Sequence, residues 1–265
     1  SAPMASKSAV QCYTLRDFMK TKEEFIESMK KCSEIGYEAV QLSAVGAMNG
    51  DEPEVDAAEA RKILDDLGLK VIATHRDWDD LVNNTEAEIE FHQTLGCSYT
   101  AIGGIPQPYR GEGTDGYSRF AKDSQGTIAK LKEASITWGY HNHSFEFERY
   151  ADGPKTHYDI LIEEGGPDFT LEVDTYWVVH AGADPIAILE RCPGRVPVIH
   201  VKDKEVDGNE GLMAPIGEGN LNWDGIIAAC EKAGTEWYAV EQDTCRRDPF
   251  DCLRSSFEFL KSKGL

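Results

Sequence analysis

A chain of 265 residues with 41% hydrophobic and 28% charged side chains has a globular balance and enough length to bury a full core. Its 47 acidic residues outnumber 27 basic ones, and the formal net charge of −20 argues against nucleic acid and anionic membranes as partners. No apolar run reaches the ~18 residues that a membrane helix needs. The N-terminal SAPMASKSAV holds no apolar signal core. Seven scattered cysteines with no C-x-x-C pair suit single thiols in a reducing compartment, and the expected location is cytoplasmic.

In chain order, 9–15 (AVQCYTL) reads as a strand. A helix over 22–35 follows, with Phe25, Ile26, Met29, Cys32 and Ile35 at helical spacing and Thr21 and Glu24 placed for a capping box; Gly36 ends it. A strand over 39–45, a helix over 55–67, a strand from 70 to 74 and a helix over 86–95 come next. The segment 99–105 is a fourth strand that carries Gly103 and Gly104, and 106–116 is a Gly/Pro-rich loop. A long helix is expected over 118–135, a fifth strand over 137–143 and a short helix over 158–164. Strands over 169–174, 196–201 and 237–241 alternate with helices over 185–191, 223–233 and 249–261, and 205–221 reads as a loop.

Repeated strand–helix alternation implies a parallel sheet. Eight such units in 265 residues match a single (β/α)8 TIM barrel spanning 1–265. The rival, an open doubly wound sheet, lacks its usual G-x-G-x-x-G after the first strand.

In such a barrel the C-terminal strand ends face the active-site mouth. Polar residues collect there in HNHSFEFE (141–148), LEVDTYW (171–177), VIHVKD (198–203) and AVEQD (239–243). Strand parity puts Glu172 with Asp174, His200 with Lys202 and His141 with His143. Carboxylates and imidazole delivered by separate strands make a hard divalent-cation site. Asp174, His200 and Glu241 are the first three expected ligands and Glu146 the fourth, with His141 or His143 as substitutes. Mn²⁺ leads the candidate metals, with Mg²⁺, Co²⁺ or Zn²⁺ as the others. A strand-end Asp is also a common helix cap, and a strand His is often a hydrogen-bonded core residue. Glu172 and Lys202 could pair inside the barrel, and Trp177 and His180 could be packing residues. Convergence at four matching strand ends is what favours a metal site.

Arg16 after the first strand and His75 after the third are candidates for holding substrate oxygens. In PIGEG (215–219), Gly217 and Gly219 could let backbone approach a ligand or simply form turns. No Walker A loop, G-x-S-x-G elbow or cysteine-nucleophile signature is present.

In GYHNHSFEFE, LEVDTYWVVHAGADP, VIHVKD, PIGEGNLNW and VEQD the chain resembles the xylose-isomerase-like barrel superfamily, the sugar phosphate isomerase/epimerase family. The resemblance covers nearly the whole chain. It implies a (β/α)8 barrel and a metal held by Asp174, His200, Glu241 and a fifth-strand ligand, either His141 or Glu146, with Glu146 preferred. Ketose epimerases of that superfamily carry Glu in an E-x-x-N setting in the fifth strand. They also carry His where Trp177 stands, and Arg after the metal-binding His. HNHSFE and HVKDKE depart from these patterns, so the YHNH pattern looks closer to keto-sugar, inositol or glycoside catabolism. The implied activity is metal-dependent isomerisation or epimerisation of a keto-sugar by proton abstraction alpha to a carbonyl. A keto-glycoside or inosose lyase is the alternative on the same site, followed by a metal-dependent hydrolase or a noncatalytic sugar-binding subunit. The expected acid/base and oxyanion groups are Glu146, Glu241, His143 and Lys202; the expected substrate-binding groups are Arg16, His75, Trp177, His180 and Glu218. The expected partner is a small sugar, and a homo-oligomer is left open.

Overall fold

The computed structural model describes residues 5–149 and 153–265; the first four residues of the N-terminal stretch read above lie outside them. Seven strands come first: β1 (Ser8–Gln11), β2 (Ala39–Leu42), β3 (Lys70–His75), β4 (Tyr99–Ile102), β5 (Thr137–His141), β6 (Thr170–Glu172) and β7 (Val198–Val201). A hairpin follows, β8 (Asp203–Asp207) and β9 (Glu210–Ala214), and β10 (Trp237–Val240) completes the set. The parallel sheet runs β6-β5-β4-β3-β2-β1-β10-β7. The Asp174–His200 bridge and the bond from His200 N–H to the Val173 carbonyl, 2.8 Å, bring its two edges together. The result is a (β/α)8 barrel with helices between its strands.

Two packed layers account for the closure. Outside the strands, an apolar core that includes Phe25, Phe120, Trp138, Leu171 and Leu253 joins sheet to helices. Inside, Ala73, Tyr99, Ala101, Val198 and Ala239 plug the barrel. A Cβ on Gly139 would lie 1.9 Å from the Tyr99 hydroxyl, so glycine there is what lets Tyr99 cross the interior. Two residues further along each strand the same inward parity brings His75, His141, His200 and Glu241 to the layer above, toward the mouth.

Several elements follow the sequence reading closely. The helices Lys22–Ile35, Pro185–Arg191 and Trp223–Ala233 have the expected limits. Thr21 and Glu24 form the capping box, and Gly36 closes the helix at φ 125°. Others differ. The expected strands over 9–15, 39–45 and 137–143 stop at Gln11, Leu42 and His141: side chains take over the pairing after two of them, Gln11 accepting from the Tyr13 N–H and Asn142 from the Asp174 N–H, and after Leu42 the chain turns at Ala44, φ 55°. The long helix over 118–135 is two helices, Gly113–Asp123 and Gln125–Glu133, meeting at the buried Ser124, whose hydroxyl donates to the Ala121 carbonyl. The loop expected over 205–221 holds most of the antiparallel hairpin β8–β9. Burial along each strand runs from one end to the other, with Asp203, Met213 and Ala214 buried, and does not alternate, so two-residue periodicity gave no sign of them.

Candidate metal centre and active-site mouth

Four side chains from the second half of the barrel meet at its mouth. His141 ends β5, Asp174 follows β6, His200 sits in β7 and Glu241 follows β10. All four are buried, and one ligand-type atom from each lies within 4.8 Å of the others. His141 Nε2 is 2.9 Å from Asp174 Oδ2, and His200 Nδ1 is 3.4 Å from Glu241 Oε1. Asp174 has two uses. Its Oδ1 accepts from the Trp177 N–H and caps the helix Thr175–His180, while its Oδ2 turns into the cluster. The capping and site roles weighed against each other in the sequence are held by one carboxylate, one oxygen each.

The fourth expected ligand is corrected by this geometry. Glu146 does not join Asp174, His200 and Glu241; His141 takes that place. After His141 the chain leaves the strand and turns through a 3-10 helix, Phe145–Phe147, which swings the Glu146 side chain onto Tyr140. There one oxygen accepts from the Tyr140 hydroxyl and the other from the His143 N–H, both at 2.7 Å. Fully buried without a cation beside it, Glu146 has its carboxyl pushed up to about 7 by burial, against the lowering effect of those two donors. It supports the loop that presents His143 and does not face the mouth. The suggested pairing of Glu172 with Lys202 is also absent.

Instead Glu172 anchors the imidazoles. Its Oε1 lies 2.5 Å from His75 Nε2 and 2.7 Å from His200 Nε2, and its Oε2 accepts from the Gln41 amide at 2.9 Å. Gln41 Oε1 is 2.7 Å from the same His200 Nε2. With its Nε2 side engaged, His200 turns Nδ1 toward Asp174 and Glu241, and that buried atom has no hydrogen-bond partner among the described residues. A carboxylate behind an imidazole is the usual means of orienting a histidine ligand. Burial alone would push Glu172 up, yet His200 and His75 hold it well below the usual carboxylate range. Burial would likewise lower His200, but Glu172 and Glu241 push it up to about 10. His141 is held down to about 4 by burial and by His200.

Lys202, fully buried, reaches into the same oxygens. Its Nζ lies 2.8 Å from Asp174 Oδ2, 2.6 Å from Glu241 Oε1 and 3.0 Å from Asp243 Oδ1. Asp243 was not anticipated; its only sequence signal was its position two residues beyond Glu241. Four carboxylates, Glu172, Asp174, Glu241 and Asp243, share this space with one lysine, and His141, held down to about 4, adds no positive charge at neutral pH. This excess of carboxylate, together with the unpartnered His200 Nδ1, fits a divalent cation coordinated by His141, Asp174, His200 and Glu241.

The remaining expected residues separate into two groups. His143, Trp177 and His75 line the mouth: the His143 ring is 5.0 Å from His141 and 5.7 Å from Trp177, and His75 stacks on His200 at 5.4 Å. Trp177 also lies 5.8 Å from Lys202 Nζ. Arg16 reaches the rim, but its guanidinium donates to the carbonyls of Asp243 and Tyr13. His180 and Glu218 do not face the cluster. His180 is exposed, stacks on Tyr176 and lies 3.2 Å from Lys204 Nζ. Glu218 binds Arg247 and Ser255 on the surface. Gly217 and Gly219 let backbone approach a side chain of the protein itself, the buried Asp203 carboxylate. It accepts from the N–H groups of Lys204, Gly217, Gly219 and Leu221 and from the Trp223 indole.

A parallel barrel carrying a carboxylate–imidazole cluster at its C-terminal mouth defines the class: a (β/α)8 barrel with a candidate cation site. The xylose isomerase-like TIM barrel family model matches residues 29–263, and the chain belongs to that family. Among solved structures it is similar to a sugar phosphate isomerase/epimerase from Parabacteroides distasonis, with a TM-score of 0.80 and 23% identity over 99% of this chain and 96% of that one. An L-ribulose 3-epimerase gives a TM-score of 0.71 at 15% identity over 97% and 94%. A probable 3-DHS dehydratase involved in petrobactin synthesis, from Bacillus anthracis, gives 0.71 at 15% identity over 97% and 99%. At these identities the likeness is one of fold. No functionally curated protein matches the chain.

Proposed function

We propose that the chain is a divalent-metal-dependent isomerase or epimerase that removes a proton alpha to the carbonyl of a keto-sugar. The observation that carries this reading is the convergence of His141, Asp174, His200 and Glu241 at one end of the barrel, within 4.8 Å. Membership of a family whose structural relatives include described isomerases and epimerases supports it. When bound, a divalent cation such as Mn²⁺ would polarise the substrate carbonyl and stabilise negative charge developing on its oxygen.

The chain's own groups supply the rest. His143, half-buried beside the cluster, is the imidazole that faces the mouth and can exchange a proton with substrate carbon. Glu241 is the second proton-handling group, because its carboxylate is kept ionised: burial opposes this, and Lys202 and His200 outweigh burial. Lys202 offsets the crowding of Asp174, Glu241 and Asp243 and adds positive potential where an oxyanion forms. Trp177 supplies an apolar wall against a sugar face. All seven cysteines are free thiols, which fits the cytoplasm.

A lyase outcome is the second reading, favoured by the structural likeness to a described dehydratase. The same C–H bond breaks, the electron pair forms a carbon–carbon double bond, and a β-oxygen substituent leaves and takes up a proton.

The test incubates the protein with Mn²⁺ in D₂O and a panel of ketoses, inosose and 3-keto-glucosides, with and without chelator. Nuclear magnetic resonance follows the carbon-bound proton alpha to the carbonyl. Exchange that the chelator abolishes supports the reading, and the product separates isomerase from lyase. Exchange that persists under chelation would overturn the metal-dependent mechanism.

A further inference from the structure

Beside the cation cluster a groove of about 800 Å³ runs outward over the loops that follow β3, β4 and β5. His143 belongs to both: its ring is 5.0 Å from His141 on one side and stacks on Phe145 at 5.5 Å and 9° on the other. A substituent joined to a sugar at the mouth would enter the groove by passing the His143 ring. Its volume falls in the range of small-molecule sites.

The walls are aromatic and fixed. Trp78 is held edge-on against Phe120 and Trp138, at 5.2 and 5.5 Å. Phe145 is 43% exposed, although a large apolar side chain beside a buried core would ordinarily be covered. The groove is open where side chains would fill it. A Cβ built on Gly103 meets no atom within 4 Å, so that glycine answers no packing need of the protein. At Gly104 a Cβ would sit 3.5 Å from the Phe145 ring, narrowing the same space.

Charge also limits the occupant. Of the two arginines along the groove, Arg76 is paired with a carboxylate and Arg110 bonds only neutral oxygens. Arg76 Nε donates to both Glu88 oxygens, at 2.8 and 3.1 Å, and Arg110 donates to the Ile105 carbonyl and to Gln107. Asp77 and Asp79 add negative charge to the lining. An anionic substituent would meet two carboxylates, Asp77 and Asp79, against the one guanidinium, Arg110, that no carboxylate pairs, whereas a neutral planar ring would meet Trp78, Phe145 and the bare glycine backbone.

We propose that this groove is a substrate subsite for an uncharged aromatic substituent, so that the preferred substrate is an aryl glycoside of a keto-sugar and not a free or phosphorylated monosaccharide. This rests on the keto-sugar reading given above. Its own evidence is the groove, and the test separates the two.

Binding of phenyl and methyl glucosides, both anomers, is measured by calorimetry on the full chain. These probes lack the keto group and so are inert to proton abstraction. The expected result is at least a tenfold preference for one phenyl glucoside over its methyl counterpart. Gly103→Val, which fills the groove, should weaken phenyl glucoside binding at least tenfold more than methyl glucoside binding. Phe145→Ala, which removes an exposed ring, should reduce the preference without risk to folding. Equal affinities, undetectable phenyl glucoside binding, or a preference that survives both substitutions would overturn the subsite. Deuterium exchange into a keto-sugar reports on the other reading. Exchange without an aryl preference sinks the subsite alone, and an aryl preference without exchange on any keto-sugar sinks the chemistry alone.

Discussion

The two halves of the barrel contribute unlike things to the mouth. Strands β5, β6, β7 and β10 deliver His141, Glu172, Asp174, His200, Lys202 and Glu241, nearly all the charge. Strands β2 and β3 deliver Gln41 and His75, which add no carboxylate but grip Glu172 and, through Gln41, His200. The charged half alone would be a set of mutually repelling carboxylates and freely turning imidazoles. The other half helps to fix which ring nitrogen faces the cluster, since Gln41 shares His200 Nε2 with Glu172. Glu172, from the charged half, and Gln41, from the other, thus hold His200 between them.

The largest break in that arrangement should come from the charged half. Glu241→Gln is expected to lower proton exchange by at least about a thousandfold, with the far-ultraviolet circular dichroism spectrum unchanged. A fully active Glu241→Gln protein would show that the proton-handling and ligand roles are misassigned. Glu172→Gln should act across the two halves. It keeps the shape but loses the charge that orients His200, and metal affinity should fall about 10- to 100-fold, measured by competition with a fluorescent chelator. Gln41→Ala, on the neutral side, removes one of the two acceptors on His200 Nε2, so the same measurement should show a smaller, roughly severalfold loss. An effect of Gln41→Ala as large as that of Glu172→Gln would mean that the neutral amide, not the carboxylate, sets the ring.

A stability effect of a different kind belongs to a carboxyl that the cluster does not use. Glu146 is raised from 4.5 to about 7 in the folded chain. Between those values the folded state holds a proton that the unfolded state has lost, so stability attributable to this group falls as pH rises from about 4.5 to 7. Glu146→Gln should therefore gain thermal stability relative to wild type on going from pH 5 to pH 8, by on the order of 3 kcal/mol in full. Melting temperatures of the two proteins at both pH values would show it. A gap independent of pH would mean that the carboxyl ionises normally.

Two neighbours in one motif show how far sequence reading goes. In VIHVKD, alternation assigned His200 and Lys202 to the inward face, and both are there, fully buried. Asp203, one residue on, belongs to the opposite parity and spends its oxygens on the 217–223 loop and the Trp223 indole. The partner of Gly217 and Gly219 was invisible in the sequence because it lies 14 and 16 residues away, across a hairpin whose strands give no two-residue periodic signal.

Local chemistry carried in the sequence determined the capping box at Thr21, the alternation of strands and helices, and the strand ends at which Asp174, His200 and Glu241 stand. Those features depend on neighbours within a few residues, where dihedral preference, capping and two-residue parity act. Only the tertiary structure brought His141, and not Glu146, beside Asp174, His200 and Glu241, placed Glu172 behind His200, and opened the groove beside His143. Each of these depends on where the chain turns after a strand ends and on what distant strands bring to meet it. Parity along a single segment cannot carry that information once its backbone has left the ladder.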